Sequence, residues 1–164
     1  MPDNATEKIS KLFFRGMDKM RHRGAFDVGS VAATGADFSG FDKTRQIVLV
    51  TFKRSGAAIP SPINHGIADG KLYVRTDPST GKVKRLRNNP RVVVVPSSVR
   101  GKPRGRPVAG VARILPESEH AHAAKAIAAN WSMPMKAFER SLEKGSEAFG
   151  VQMAYIEITP APQR

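Results

Sequence analysis

The sequence predicts a mainly β fold, an antiparallel barrel with peripheral helices, and three observations carry that reading. Short β-branched runs recur between Arg45 and Leu115, each bounded by Gly, Pro, Asn or Asp. Long helical periodicity is scarce and falls largely at the two ends of the chain. With 164 residues, 40% hydrophobic and 25% charged, the chain has the size and balance of one domain around one core. Short, evenly spaced strands with few long helices fold most readily as a closed antiparallel sheet.

Residues Ala5 to Arg23 space Ile9, Leu12, Phe13, Met17 and Met20 three and four apart, the pattern of an amphipathic helix. Gly24 to Asp42, rich in Gly, Ala, Ser and Asp, reads as a loop, so residues 1–42 form an arm and 43–164 the barrel domain. Ile47 to Phe52 is the first strand, and Lys53-Arg-Ser-Gly56 turns it. Ile59 to Gly66 returns, and its prolines assign it to an edge or a bulge because a central strand needs the N–H groups they lack. Ala68-Asp-Gly70 turns again, and Lys71 to Thr76 alternates as a third strand. A basic helix, Lys82 to Asn88, precedes a fourth strand, Arg91 to Pro96, and the Gly- and Pro-rich loop Ser98 to Pro107 leads to a fifth, Val108 to Leu115. Pro116-Glu-Ser-Glu opens a helix reaching Asn130, its acids suited to the dipole. Pro134 to Lys144 is a second helix, with Trp131 and Phe138 as anchors against the barrel, and Gln152 to Thr159 is the closing strand.

The formal charge is +13, and its distribution is more informative than its sum. No acidic residue occurs from Pro78 to Pro116, a tract holding ten lysines and arginines. Such a tract attracts a polyanion: nucleic acid, an acidic membrane or a phosphate-bearing cofactor, against the plain alternative of a solvated basic surface. No apolar run approaches the roughly 20 residues that span a bilayer. The N-terminus lacks a basic-then-apolar leader, and the absence of cysteine removes disulfides and thiolate chemistry, so a reducing, cytoplasmic location is expected.

The densest chemistry lies from Tyr73 to Arg91. A strand ends at Thr76, a hydroxyl-rich turn runs from Asp77 to Gly81, and a helix begins with Lys82. Unpaired N–H groups at a helix start, together with the dipole, hold a phosphate well. The segment is no P-loop, because Thr76 stands where the first glycine is needed and Val83 follows Gly81-Lys82. His120 and His122 have the wrong spacing for one helical face and read as exposed residues, and no zinc pattern or Gly-x-Ser-x-Gly elbow occurs. Nucleic acid is disfavoured: the tract contains no Phe, Tyr or Trp for base stacking, and no helix-turn-helix or zinc-finger pattern appears.

Over residues 44–115 the sequence resembles the pyridoxamine-phosphate-oxidase-like split β-barrel superfamily. The matching residues are Thr76, Thr80, Lys82, Leu86, Asn89-Pro90 and Arg91-Val-Val-Val-Val; Tyr73 lies too early to match the family tyrosine. Within that superfamily it looks most like the branch that uses the deazaflavin coenzyme F420. Val50-Thr51-Phe52 with Gly56 and Pro60-Ser-Pro-Ile carries that likeness, as do Gly81 to Val92 and the loop Arg100-Gly-Lys-Pro-Arg-Gly-Arg-Pro. The oxidases carry an arginine for the flavin phosphate where this chain has Ser61, a departure that disfavours a true oxidase and weakens FMN.

The resemblance implies hydride transfer between F420 and a small unsaturated organic substrate, with FMN as the alternative cofactor and a cofactor-free basic binding module as the third reading. It assigns Thr80 and Lys82 to the phosphate with Thr76 nearby, and Lys84 and Arg85 to the phosphate or the anionic tail. The backbone of Val50, Thr51, Pro62, Ile63 and Asn64 would line the ring. Asn64, His65 and Tyr155 are candidates to lie beside it, with no catalytic acid declared. It further implies a homodimer with the cofactor groove between barrels, where the Arg100 to Arg106 loop would act on the partner's ligand.

Overall fold

The computed structural model describes residues 33–131 and 152–162. Six strands form one closed antiparallel barrel: β1 (Gln46–Phe52), β2 (Ala58–Ala68), β3 (Lys71–Thr76), β4 (Arg91–Ser97), β5 (Val108–Ile114) and β6 (Ala154–Pro160). Their order around the barrel is β1-β2-β3-β6-β5-β4, and β4 pairs back onto β1. Two helices join them, α1 (Gly81–Asn88) between β3 and β4 and α2 (His120–Ala129) after β5. The expected helix before the last strand, with Phe138, and the N-terminal helix lie outside the described residues.

Strand alternation sorts the side chains. Ile47 and Leu49 of β1, Leu72 and Val74 of β3, Val92 and Val94 of β4, Val108 and Ala112 of β5 and Ile156 and Ile158 of β6 make the interior. The intervening Val48, Val50 and Val95 form a second apolar cluster on the outer face, also buried. Phe38 and Phe41 precede β1 and pack into the barrel core edge to face, 5.3 Å between ring centres. A segment expected as a plain connecting loop therefore delivers two core aromatics.

The β2–β3 hairpin turn behaves as its residues dictate. Asp69 and Gly70, with φ of 53° and 73°, make the doubly left-handed two-residue turn whose twist suits a hairpin. β2 is longer than its expected span and changes partners midway: Ala58 to Asn64 pair with β1, and His65 to Ala68 pair with β3. His65 donates its N–H toward β1, to the carbonyl of Arg45 at 3.3 Å. By alternation Pro60 and Pro62 turn their nitrogens to the opposite edge, where no described strand pairs. The expected edge position of the prolines is what the sheet shows.

α1 closes one end of the barrel by burying Val83 and Leu86. α2 lies on the outer face over Tyr73, Leu115 and Tyr155, with Trp131 packed alongside. Its acids do not occupy its own first turn, as expected from Pro116-Glu-Ser-Glu; they form a separate 3₁₀ turn, Glu117–Glu119, leading into it. Among the described residues no helix is long and apolar enough to cross a membrane.

Candidate anion-binding site

Asp77 builds the turn between β3 and α1. Its carboxylate accepts from the N–H and the hydroxyl of Ser79, each at 2.7 Å. Its carbonyl accepts the Thr80 N–H at 3.1 Å and the Thr80 hydroxyl at 2.9 Å. Asp at the first position of such a turn mimics a backbone acceptor and fixes the corner locally. Thr80 is the N-cap residue of α1, yet its hydroxyl is committed to Asp77 and stands 3.5 Å from the Thr76 hydroxyl, so it supplies no cap. The helix thus starts without a side-chain cap from Thr80 and without an acid in its first turn. Both features leave the positive end of the dipole uncompensated.

Arg85 reaches back over this start. Its Nε donates to the Thr51 hydroxyl at 2.7 Å, and one Nη lies 2.7 Å from where a Cβ on Gly81 would stand. Gly81 is needed here because a side chain would displace the guanidinium. Thr51 is fully buried and Thr76 nearly so, while Arg85 is half-buried. Burial pushes the Arg85 pKa down, the cost of taking a charge from water, although guanidinium stays ionised at neutral pH. Among the described residues no carboxylate forms an ion pair with it. A half-buried cation bonded to a hydroxyl, beside an uncapped helix start and the Thr76 hydroxyl, is an arrangement an anion completes.

The structure thereby brings together Thr51, Thr76, Thr80 and Arg85, with Lys82 half-buried on the same helix turn. Lys84 is different: about 200° around the helix from Lys82, it is exposed, as is Arg87. Val50 and Pro62 lie on the outer face of β1 and β2, and Asn64 accepts the Gln46 amide at 3.0 Å beside them. The Ile63 side chain packs against the interior, so only its backbone can meet a ligand. Ser61 is buried opposite Leu49 on β1.

Two candidates for a place beside the ring are corrected. His65 is fully buried inside the barrel, where its Nε2–H donates to the Phe41 carbonyl at 2.9 Å. Tyr155 lies under α2 with its ring 4.7 Å from that of His120. Both side chains are taken by packing that their sequence neighbourhood did not reveal. His120 is likewise no exposed residue: it is half-buried, and its Nε2 meets the Leu115 carbonyl at 3.1 Å. His122 is exposed as expected. The Thr51 hydroxyl is the participant the sequence reading passed over in favour of its backbone. Its parity with Ile47 and Leu49 was the available signal, since it directs the side chain inward at the barrel end.

No family model matches the chain, and no curated protein matches it by sequence. Solved structures do. A putative 5-nitroimidazole antibiotic resistance protein from Bacteroides thetaiotaomicron VPI-5482 superposes with a TM-score of 0.54 at 14% identity, over 74% of this chain and 75% of that one. An FAD binding protein from Mycobacterium smegmatis gives 0.51 at 16% identity, over 80% and 93%. The heme storage protein HutZ from Vibrio cholerae gives 0.50 at 14% identity, over 75% and 87%. The fold is an antiparallel split β-barrel. In this split barrel the candidate anion site occupies the end closed by α1, where β1, β3 and the helix start converge.

Proposed function

We propose that this split barrel binds coenzyme F420 and acts as an oxidoreductase on a small unsaturated organic substrate. The observation that carries the reading is Arg85, a half-buried guanidinium held by Thr51 across an uncapped helix start. The donor set fits the group: the Thr76 hydroxyl, a guanidinium, a lysine and helix N–H groups all favour a phosphodiester. The acid-free tract around them suits a cofactor with an anionic tail, and the likeness to an FAD binding protein supports a flavin-type ligand. Bound there, the deazaflavin supplies hydride transfer at its ring.

The chain's own residues bind and orient. Thr76, Lys82 and Arg85 anchor the phosphate, Thr80 shapes the turn beside it through Asp77, and the backbone of Val50, Thr51, Pro62, Ile63 and Asn64 positions the ring. A second copy of the chain covers the cofactor in the homodimer this reading includes. Titration of the purified protein with F420 and with FMN tests it. F420 is expected to bind more tightly than FMN, and Arg85→Ala to weaken it about 10- to 100-fold, the value of a charged hydrogen bond. Failure to bind either, or binding indifferent to Arg85→Ala and Lys82→Ala, overturns the assignment.

A further inference from the structure

We infer that the β4–β5 loop is a reader of the DNA minor groove, preferring A·T-rich duplex. The loop contains Pro103-Arg104-Gly105-Arg106-Pro107, with Lys102 before it, and no acid from Pro78 to Pro116. Lys102, Arg104, Gly105 and Arg106 are all exposed. The absence of stacking aromatics and of a recognition helix argues against single strands and the major groove. Neither feature is needed in the minor groove.

That groove is about 6 Å wide, too narrow for a helix, and its floor offers the adenine N3 and thymine O2 acceptors. A backbone turn with no side chain at its apex can approach the floor, and Gly105, where the loop bends, supplies such an apex. Arginines on either side of it can lie along the groove, where narrow A·T tracts concentrate negative potential. A G·C pair raises its amino group from the floor and obstructs the same approach.

The loop is already shaped. The Arg104 N–H donates to the Pro96 carbonyl at 2.7 Å, and Ser97 bridges Pro103. At the far end the Pro107 carbonyl accepts N–H groups from Thr34 and Gly35 at 3.1 and 3.0 Å. The Pro96 ring supports one side of Gly105, 3.0 Å from where its Cβ would be, leaving the other side to solvent. Proline at both ends and a tethered backbone reduce the ordering cost of binding. Arg45 is exposed one residue before the Gln46–Ser97 pair, at the same end of the barrel, placed to meet flanking phosphate.

Within one chain the loop lies at the other end of β4 from α1, and because the homodimer reading would set it against the partner's cofactor, the test is run without F420. Fluorescence anisotropy of the full chain with labelled A·T-rich and G·C-rich duplexes is expected to show about a tenfold preference for the former. Arg104→Ser with Arg106→Ser should abolish the preference. Arg87→Ser with Arg91→Ser, which removes equal charge elsewhere, should preserve it while weakening both duplexes alike. Equal affinity for the two duplexes, or equal effects of the two charge-matched variants, would show only general polyanion attraction and overturn the inference. Tighter binding to phosphatidylglycerol vesicles than to either duplex also overturns it.

Discussion

Gly81 separates helix stability from anion affinity. Alanine is the better helix former by up to about 1 kcal/mol, and only the flexible end of Arg85 stands in its way. We predict that Gly81→Ala leaves the melting temperature unchanged or raised while F420 affinity falls about tenfold, as the guanidinium leaves Thr51. Parallel melts and titrations check both halves, and a parallel loss of both would show that Gly81 is there for the turn alone. The neighbouring lysines and arginines cannot be ranked from sequence, because four cations in six residues all satisfy a phosphate motif. Helix geometry ranks them: Lys82 and Arg85 share a side, and Lys84 and Arg87 face water.

Strands and helices depend on closer fits than alternation reveals. Gly66 of β2 lies directly beneath α2, and a Cβ there would overlap the backbone of Ala126 and Ile127. Gly66→Ala is predicted to cost about 3 kcal/mol in urea unfolding, since a backbone cannot yield as a side chain can. The same helix is tied down from its other end by ionic contacts. Arg113 of β5 forms a two-bond pair with Glu119 at 2.9 Å for each bond, and also reaches the buried Glu157 of β6 at 3.2 Å. Tyr73 donates to Glu157 at 3.1 Å, and its pKa is pushed up to about 12, first by burial and then by that carboxylate. Asn130 adds bonds to the carbonyls of Thr44 and His65, at 3.1 and 2.8 Å. The strands themselves were legible because β-branched runs and turn residues are local signals. This network was not, since its members lie tens of residues apart and none is unusual in its own segment.

For the molecule as a whole, His65 makes stability depend on pH. Burial holds its imidazole below the ordinary 6.5, with the bond to Phe41 opposing that shift, so the folded chain keeps it neutral where the unfolded chain protonates it. The unfolded state then binds more protons as pH drops past about 6.5, and stability declines by up to about 1.4 kcal/mol per pH unit. Denaturation between pH 7 and 5 should show this slope, and His65→Gln should flatten it. The depressed carboxyls of Asp37 and Glu119 act lower, near pH 4, and do not confuse the comparison. Neither the interior place of His65 nor the pair of phenylalanines, of which Phe41 packs against it, was legible in the sequence. Phe38 and Phe41 sit in a stretch without periodicity, and only the closed barrel explains why they are there.

The switch of partners along β2 has a consequence for life at high concentration. From Ala58 to Asn64 the strand pairs with β1 on one side, and on the other no named strand continues the ladder, the kind of border on which chains can stack into aggregates where it is open. Pro60 and Pro62 remove two successive donors from that border, so an incoming strand finds no ladder to extend. The strand can therefore change partners inside a closed barrel without offering a template for strand-by-strand stacking.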